Sequence, residues 1–505
     1  MRCIAACALF LMCVSGYAAE AGFHFNAPPG PQSVGFRVIE QFDVARSYPP
    51  HGLARPIQTL IWYPAASAGH PMRYEDYLEL GVSEEDFALD AQQRRQRTDA
   101  SLRQYKVVGT DAAELERIRN EPVGATRDAI PVVGRFPVVI YAPSDSSSAF
   151  ENDSLCEYLA SHGYVVIASP SLGARSRYMT DGRGRLPYDL ESTRAQATDI
   201  GFLIGYAKSL PQADTAHVGV VAYSWGGMAS MFAAIADSRI QALVDLDGSV
   251  RYFPKLLRDA PDITPDRLSA PLLFFADRED PIEPGKDTLP HSFIARIDHT
   301  DVTEIGLKKL FHQDLAAESL RLGSMAIHAD TSAQQRNDSY AWVSRYTLAF
   351  LDSMLKGDDT AKVFMAATPS ANHVPADTLS IQHRHSLHGP ASVDDLAAAL
   401  ERSGYADPLV TYATYQHAHP GFRVRSDVFA AWLSALLDAG KPDAASALAH
   451  IWTHVYPRSS DAWAQLGAVD DMEGASIQAI EHYRHALRLD PHNQLAAQRV
   501  RALVH

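Results

Sequence analysis

The stretch VGVVAYSWGGMAS, residues 218–230, sets one serine between an apolar run and a pair of glycines. A serine hydroxyl becomes a useful nucleophile when a base lies within hydrogen-bond reach and donors await the oxyanion. A sharp strand-to-helix turn presents such a serine, provided that small residues stand two before and two after it. Ala222 and Gly226 occupy those positions around Ser224. The backbone N–H of Trp225 is then one oxyanion donor, and the loop after VVIYAP supplies the other. A serine that merely caps a helix is the plain alternative, but the strand, turn and helix signals coincide here.

In this chain order the base follows the last strand. TEIGLKKLFHQDL puts His312 there, whereas His299, in RIDHTDV, precedes that strand and is the weaker candidate. Two carboxylates stand near strand ends between nucleophile and base: Asp247 in ALVDLD and Asp280 in FFADREDPIEP. Either can orient the imidazole and stabilise it when protonated. The residues alone leave that choice open.

The elements that must position these groups alternate along residues 35–357. Strand candidates are VGFRVIEQFDVA, RPIQTLIWYP, RFPVVIYAP, YVVIASP, HVGVVAYS, ALVDLD, PLLFFAD and TEIGLKKL. Continuous apolar runs such as 137–140 and 218–221 suit strands covered on both faces, as in a parallel sheet. Helix-like segments lie between them at 150–163, 191–209, 226–237 and 339–356, which predicts an α/β sheet with right-handed crossovers. Residues 72–130 interrupt the pattern with polar, helix-prone sequence such as DAQQRRQRTDASLRQY. A structureless loop of that length is unusual, so a helical insertion is expected there, as a lid or as a peripheral decoration.

Residues 358–391 read as a connector, and 392–505 as a helical domain. The stretch 460–493 fits the tetratricopeptide repeat at Trp463, Leu466, Gly467, Gly474, Ala479, Tyr483, Ala486 and Pro491. Asp470 stands where that repeat usually has Tyr, and residues 426–459 fit more loosely. Two repeats and a cap are near the lower limit for a stable stack, so the tail is expected to lean on the catalytic domain. It is a candidate surface for a protein partner or for self-association.

Composition excludes several classes. The chain has 505 residues, 46% of them apolar and 21% charged, as in an ordinary globular protein. A formal charge of −15 argues against nucleic acid or an anionic membrane as partner, since both demand basic patches. Arg2, an apolar stretch and small residues ending at Ala21 read as an export signal over 1–21, which predicts a secreted or periplasmic protein with no transmembrane span in the mature chain. Three of the four cysteines fall in that signal, leaving Cys156 alone and no internal disulfide. A lone cysteine in SLCEYLASHGY reads as a small buried hydrophobe. No metal-ligand spacing, phosphate-cradling loop or dinucleotide fingerprint appears, so no cofactor is expected.

IWYPA, RFPVVIYAP, LASHGYVVIASP, AYSWGG, DLDG and FHQDL together resemble the secreted α/β-hydrolases related to platelet-activating-factor acetylhydrolase and dienelactone hydrolase. The resemblance covers about 35–357 and implies an α/β-hydrolase fold: a mainly parallel central sheet, with helices on both faces. It favours Asp247 over Asp280, because the acetylhydrolases and certain lipases carry the acid after the strand that follows the elbow strand. Relatives usually have a His-Gly pair in the loop after the VVIYAP strand; here that loop reads Pro143-Ser144-Asp145-Ser146-Ser147-Ser148, and the donor aligned with theirs is Asp145. Its carboxylate is unhelpful beside a developing negative charge unless turned away. The alternative is a Ser-rich loop that binds a polar substrate through its hydroxyls. PSLGARSRYMTDGRGRLPYD, with Arg175, Arg177, Arg183 and Arg185, is either a carboxylate- or phosphate-recognising rim or a solvated loop.

The expectation is a serine hydrolase that cleaves small-molecule carboxylic esters through an acyl-enzyme. Its rivals are an amidase or peptidase on the same fold, and a non-catalytic binding protein that works through the helical tail.

Overall fold

The computed structural model describes residues 22–49, 53–66, 69–107, 112–176, 188–278, 293–322, 330–386, 392–419 and 422–504. The expected export signal, 1–21, lies outside them. Among the described residues no helix is long and apolar enough to cross a membrane.

Eleven strands form one sheet among the described residues. β1 (Ser33–Tyr48) and β2 (Leu53–Ala65) make a long antiparallel hairpin. β3 (His70–Arg73) and β4 (Pro122–Arg127) are short additions beside it. β5 (Phe136–Ala142), β6 (Val165–Ala168), β7 (Ala213–Tyr223), β8 (Ile240–Leu246), β9 (Leu272–Ala276) and β10 (Val302–Leu307) pair in parallel. β11 (Leu379–Arg384) closes the far edge antiparallel to β10. The spatial order is β11-β10-β9-β8-β7-β5-β6-β2-β1-β4-β3.

The eight strands expected from β-branched runs are all present. β3, β4 and β11 carry no comparable run, and the sheet extends into the stretch expected to be a plain connector. That stretch also contains α10 (Asp359–Ala366), capped by the Asp358 carboxylate.

Period-two alternation sends side chains of each parallel strand to opposite faces, and both faces are buried. Val139, Val166, Val221, Val244, Phe275 and Ile305 join one core, with residues of α4 (Asp153–Ser161) and α9 (Ala333–Leu351). Val138, Val165, Val220, Leu243 and Phe274 join the other, with α5 (Leu190–Ala207) and α6 (Trp225–Ala236). Cys156 is buried in the first core as a free thiol. The result is an α/β fold with helices on both faces, and the parallel strands deliver their carboxyl ends to one edge, where such folds place their sites.

Between β3 and β4 lie α1 (Tyr74–Gly81), α2 (Ala91–Val107) and α3 (Ala112–Arg119). Their anchor is aromatic: Tyr77 stacks on Phe150 at 5.8 Å and donates to Glu157 at 2.7 Å. Short α7 (Pro254–Arg258) and α8 (Ala317–Leu322) follow strand ends.

The C-terminal region is helical: α11 (Val393–Arg402), α12 (Pro408–Ala418), α13 (Ser426–Asp438), α14 (Pro442–Val455), α15 (Ser460–Met472), α16 (Ser476–Leu489) and α17 (Gln494–Val504). A Cβ on Gly467 would meet the Tyr483 ring at 3.0 Å, so glycine permits the close approach of α15 and α16. Asp470 is buried and accepts a hydrogen bond from His482 Nδ1 at 2.6 Å, a polar pair between α15 and α16.

Candidate active site

β7 ends at Tyr223 and α6 begins at Trp225, so Ser224 takes the whole turn. Its backbone sits at φ 53°, ψ −116°, a left-handed conformation that costs a non-glycine residue about 1–3 kcal/mol. Hydrogen bonds enforce it: Ser224 N donates to Leu246 O at 3.2 Å, while Gly227 N and Ser249 N donate to Ser224 O at 3.0 and 2.8 Å. A Cβ on Gly226 would fall 2.1 Å from Ala142 O, so only glycine lets α6 pass the end of β5. Ala222 fits at its own position, fully buried.

The half-buried Ser224 Oγ lies 2.9 Å from His312 Nε2. His312 Nδ1 lies 2.6 Å from Asp247 Oδ2, and the Asp247 side chain is wholly buried. These three expected residues therefore converge, at the carboxyl ends of β7, β8 and β10. Tyr252 donates its phenol to the same carboxylate, 3.1 Å from Oδ1 and 3.3 Å from Oδ2.

Asp280 lies outside the described residues. The described carboxylate just past β9 is Asp277, and it accepts the backbone N–H of His312 at 3.0 Å. Asp314 accepts the N–H of Phe311 at 2.9 Å, and Tyr223 donates its hydroxyl to His312 O at 2.9 Å. The imidazole thus stands on a loop held by side chains on both sides. Its burial alone would lower the His312 pKa; the Asp247 hydrogen bond and charge, helped by Asp277 and Glu151, outweigh burial and raise it above the ordinary histidine value.

Trp225 is the first residue of α6, where backbone N–H groups lack intrahelical partners and the helix dipole favours negative charge. Its indole is buried against Phe253 and Tyr188, with ring centroids 5.2 and 5.0 Å away. Asp145 occupies a tight turn in which Ser147 N donates to Ser144 O at 3.3 Å. The next residue, Ser146, has φ 59°, another left-handed position without glycine. Ser144 donates its backbone N–H to the buried carboxylate of Glu151 at 2.8 Å. Sequence reading did not single out Glu151, because no local pattern marks a carboxylate that folds back seven residues onto its own loop.

The remaining candidates fall elsewhere. His299 bonds Asp298 at 2.5 Å and lines a cleft with Ile240, Pro271 and His419, near the amino ends of β8 and β9. Arg175 is exposed and pairs with Glu191 at 3.2 Å. Arg177, Arg183 and Arg185 lie outside the described residues. Among the described residues no group of three or more His, Cys, Asp or Glu is arranged to hold a metal ion.

Residues 126–301 match the Dienelactone hydrolase family, a segment that holds Ser224 and Asp247 and stops short of His312. No curated protein matches the chain. Among solved structures, a ferulic acid esterase from Streptomyces cinnamoneus is similar at 18% identity, covering 72% of this chain and 99% of that one, with a TM-score of 0.48. The fold is that of the α/β-hydrolases.

Proposed function

We propose that this α/β-hydrolase-fold protein is a serine hydrolase that cleaves carboxylic esters of small molecules through an acyl-enzyme, outside the cytoplasm. The observation that carries the reading is the pair of contacts made by one imidazole, 2.9 Å to Ser224 Oγ and 2.6 Å to Asp247 Oδ2. In the reaction Ser224 Oγ attacks the ester carbonyl while His312 Nε2 takes its proton. Asp247 keeps the imidazole in the required tautomer and stabilises the imidazolium. The Trp225 and Asp145 backbone amides receive the tetrahedral oxyanion, which gains charge only as the bond forms. His312 then protonates the departing alcohol, and a water activated by the same imidazole releases the acid.

The helical insertion belongs to the wall of the site in this reading. A Cβ on Gly81, at the end of α1, would meet Ser148 Oγ at 3.0 Å and the Phe150 ring at 3.1 Å, on the loop that carries Asp145. The tetratricopeptide-like tail is assigned a partner-binding or self-association role.

The test is turnover of paired p-nitrophenyl esters and matched anilides by the purified protein and its Ser224→Ala variant. Ester hydrolysis lost in the variant supports the proposal. Preferential anilide cleavage points to an amidase, and a folded wild type that cleaves neither points to a binding protein.

A further inference from the structure

Glu151 follows the loop that carries Asp145, and the residue is 4% exposed. A carboxylate in such a place costs several kcal/mol unless its oxygens are satisfied. Glu151 meets that requirement almost wholly from one short segment. Oε2 accepts from Ser144 N at 2.8 Å and from the Tyr141 hydroxyl at 3.2 Å, while Oε1 accepts the Ser144 hydroxyl. Ser144 Oγ in turn lies 2.8 Å from Ser147 Oγ, and Ser147 O accepts from Ser171 N at 2.9 Å. On the other side the Glu151 carbonyl accepts Glu318 N at 3.0 Å, which links this loop to the segment just after His312.

The Ser144 N–H is therefore turned into the protein, towards Glu151. The next amide, that of Asp145, begins a turn closed by Ser147 N and containing the left-handed Ser146. Glycine at position 146 would reach such geometry at little steric cost. This chain has serine there and holds the turn with a buried carboxylate instead.

We propose that Glu151 is a positioning residue: its carboxylate clamps Ser144 and so aims the Asp145 amide at the oxyanion. The proposal rests on the serine-hydrolase reading above. It assigns Glu151 no contact with substrate, and it accounts for how a loop without the usual glycine can serve an oxyanion hole.

A clamp of this kind acts on the transition state and leaves substrate binding alone. The experiment uses the full mature chain with Glu151→Gln, Ser144→Ala and the double substitution. For each protein, kcat and KM on a p-nitrophenyl ester, the inhibition constant of an aryl trifluoromethyl ketone, fluorophosphonate labelling and the melting temperature are measured. The ketone carbon is attacked by Ser224 Oγ, and its oxygen becomes the oxyanion as the serine proton passes to His312.

Loss of one well-aimed oxyanion donor costs about 10²–10³ in kcat, so a loosened one should cost Glu151→Gln at least about tenfold. KM should stay within about twofold, and ketone affinity should fall by the same factor as kcat/KM. Ser144→Ala should lose less, and the double variant should be no worse than Glu151→Gln, because both remove one coupled contact. Unchanged kcat in Glu151→Gln, fully additive losses, or a loss of kcat without weaker ketone binding would overturn the clamp. If Glu151→Gln does not fold, Ser144→Ala decides: unaltered kcat and ketone affinity overturn the clamp, and a parallel loss of both supports it. A wild type that neither labels nor turns over ester overturns the hydrolase reading and this proposal together. A labelled, active wild type beside an unaltered Glu151→Gln overturns the proposal alone.

Discussion

Asp245 and Asp247 stand two residues apart on and just beyond β8, both wholly buried, and their carboxylates meet opposite surroundings. Asp247 receives His312 and Tyr252. Asp245 presses against the elbow instead: a Cβ on Gly227 would lie 2.2 Å from its Oδ1, and one on Gly248 2.1 Å from its Oδ2. Neither Asp245 oxygen meets a well-formed hydrogen bond. Burial first, then the Asp247 charge, push the Asp245 pKa well above the carboxylate range; the Gly248 amide and Arg251 offset only part of this. One carboxyl is thus kept neutral beside the one that holds His312.

The neutral form of Asp245 makes stability depend on pH. The folded state holds this proton more tightly than the unfolded chain, so the contribution is complete below about pH 4 and is lost as pH rises through the folded pKa, at about 1.4 kcal/mol per pH unit. Asp245→Asn keeps the shape and cannot ionise. Its melting temperature should exceed that of the wild type by a margin that widens from about pH 4 upward. Parallel melting curves across pH would show that Asp245 carries no such proton.

Activity has its own pH dependence. A general base must be unprotonated, and the His312 pKa is raised by Asp247 above its ordinary value. The pH profile of kcat/KM should therefore rise with a midpoint above about 6.5. Asp247→Asn should lower kcat by about 10³–10⁴ and move that midpoint down. Tyr252→Phe removes a donor that shares the Asp247 carboxylate with His312, strengthens the His312 hydrogen bond, and should move the midpoint up.

Glu157 is a second proton site, half-buried at the seam between α4 and the insertion. It accepts from Tyr77 Oη at 2.7 Å and from the amides of Gly124 and Ala125 at 2.8 and 3.2 Å. Burial, then the Asp153 charge, raise its pKa to about 7. Its stabilising proton is complete below about pH 4 and lost as pH rises through about 7. Difference infrared spectra should contain a protonated-carboxyl band that disappears with a midpoint near 7 and is absent from Glu157→Gln. A band that titrates in the ordinary carboxylate range would contradict this.

Much of the architecture was legible because strong periodic signals decided it. Runs such as FPVVIYA and VGVVAY can only be central strands, and Ala222, Ser224 and Gly226 fix a turn by local sterics. The placement of His312 beside Ser224 was legible from its position after the last such run. β3, β4 and β11 were not, because HPMR, PVGATR and LSIQHR are short, polar, and carry Pro or Gly in two cases; pairing to an existing edge makes them strands. Residues 358–390 read as irregular for the same reason. Glu151, Tyr252 and Asp277 act through partners distant in space or folded back over a loop, and nothing in their neighbours announces it.

The central claim is that Ser224 Oγ, poised on its strained turn beside His312, is the nucleophile. Intact-mass analysis after exposure to a fluorophosphonate, followed by peptide mapping, tests it most directly. One adduct per chain is expected, on Ser224, abolished by Ser224→Ala and much slowed by His312→Ala. A folded wild type that stays unmodified, or that is modified on another residue, would contradict it.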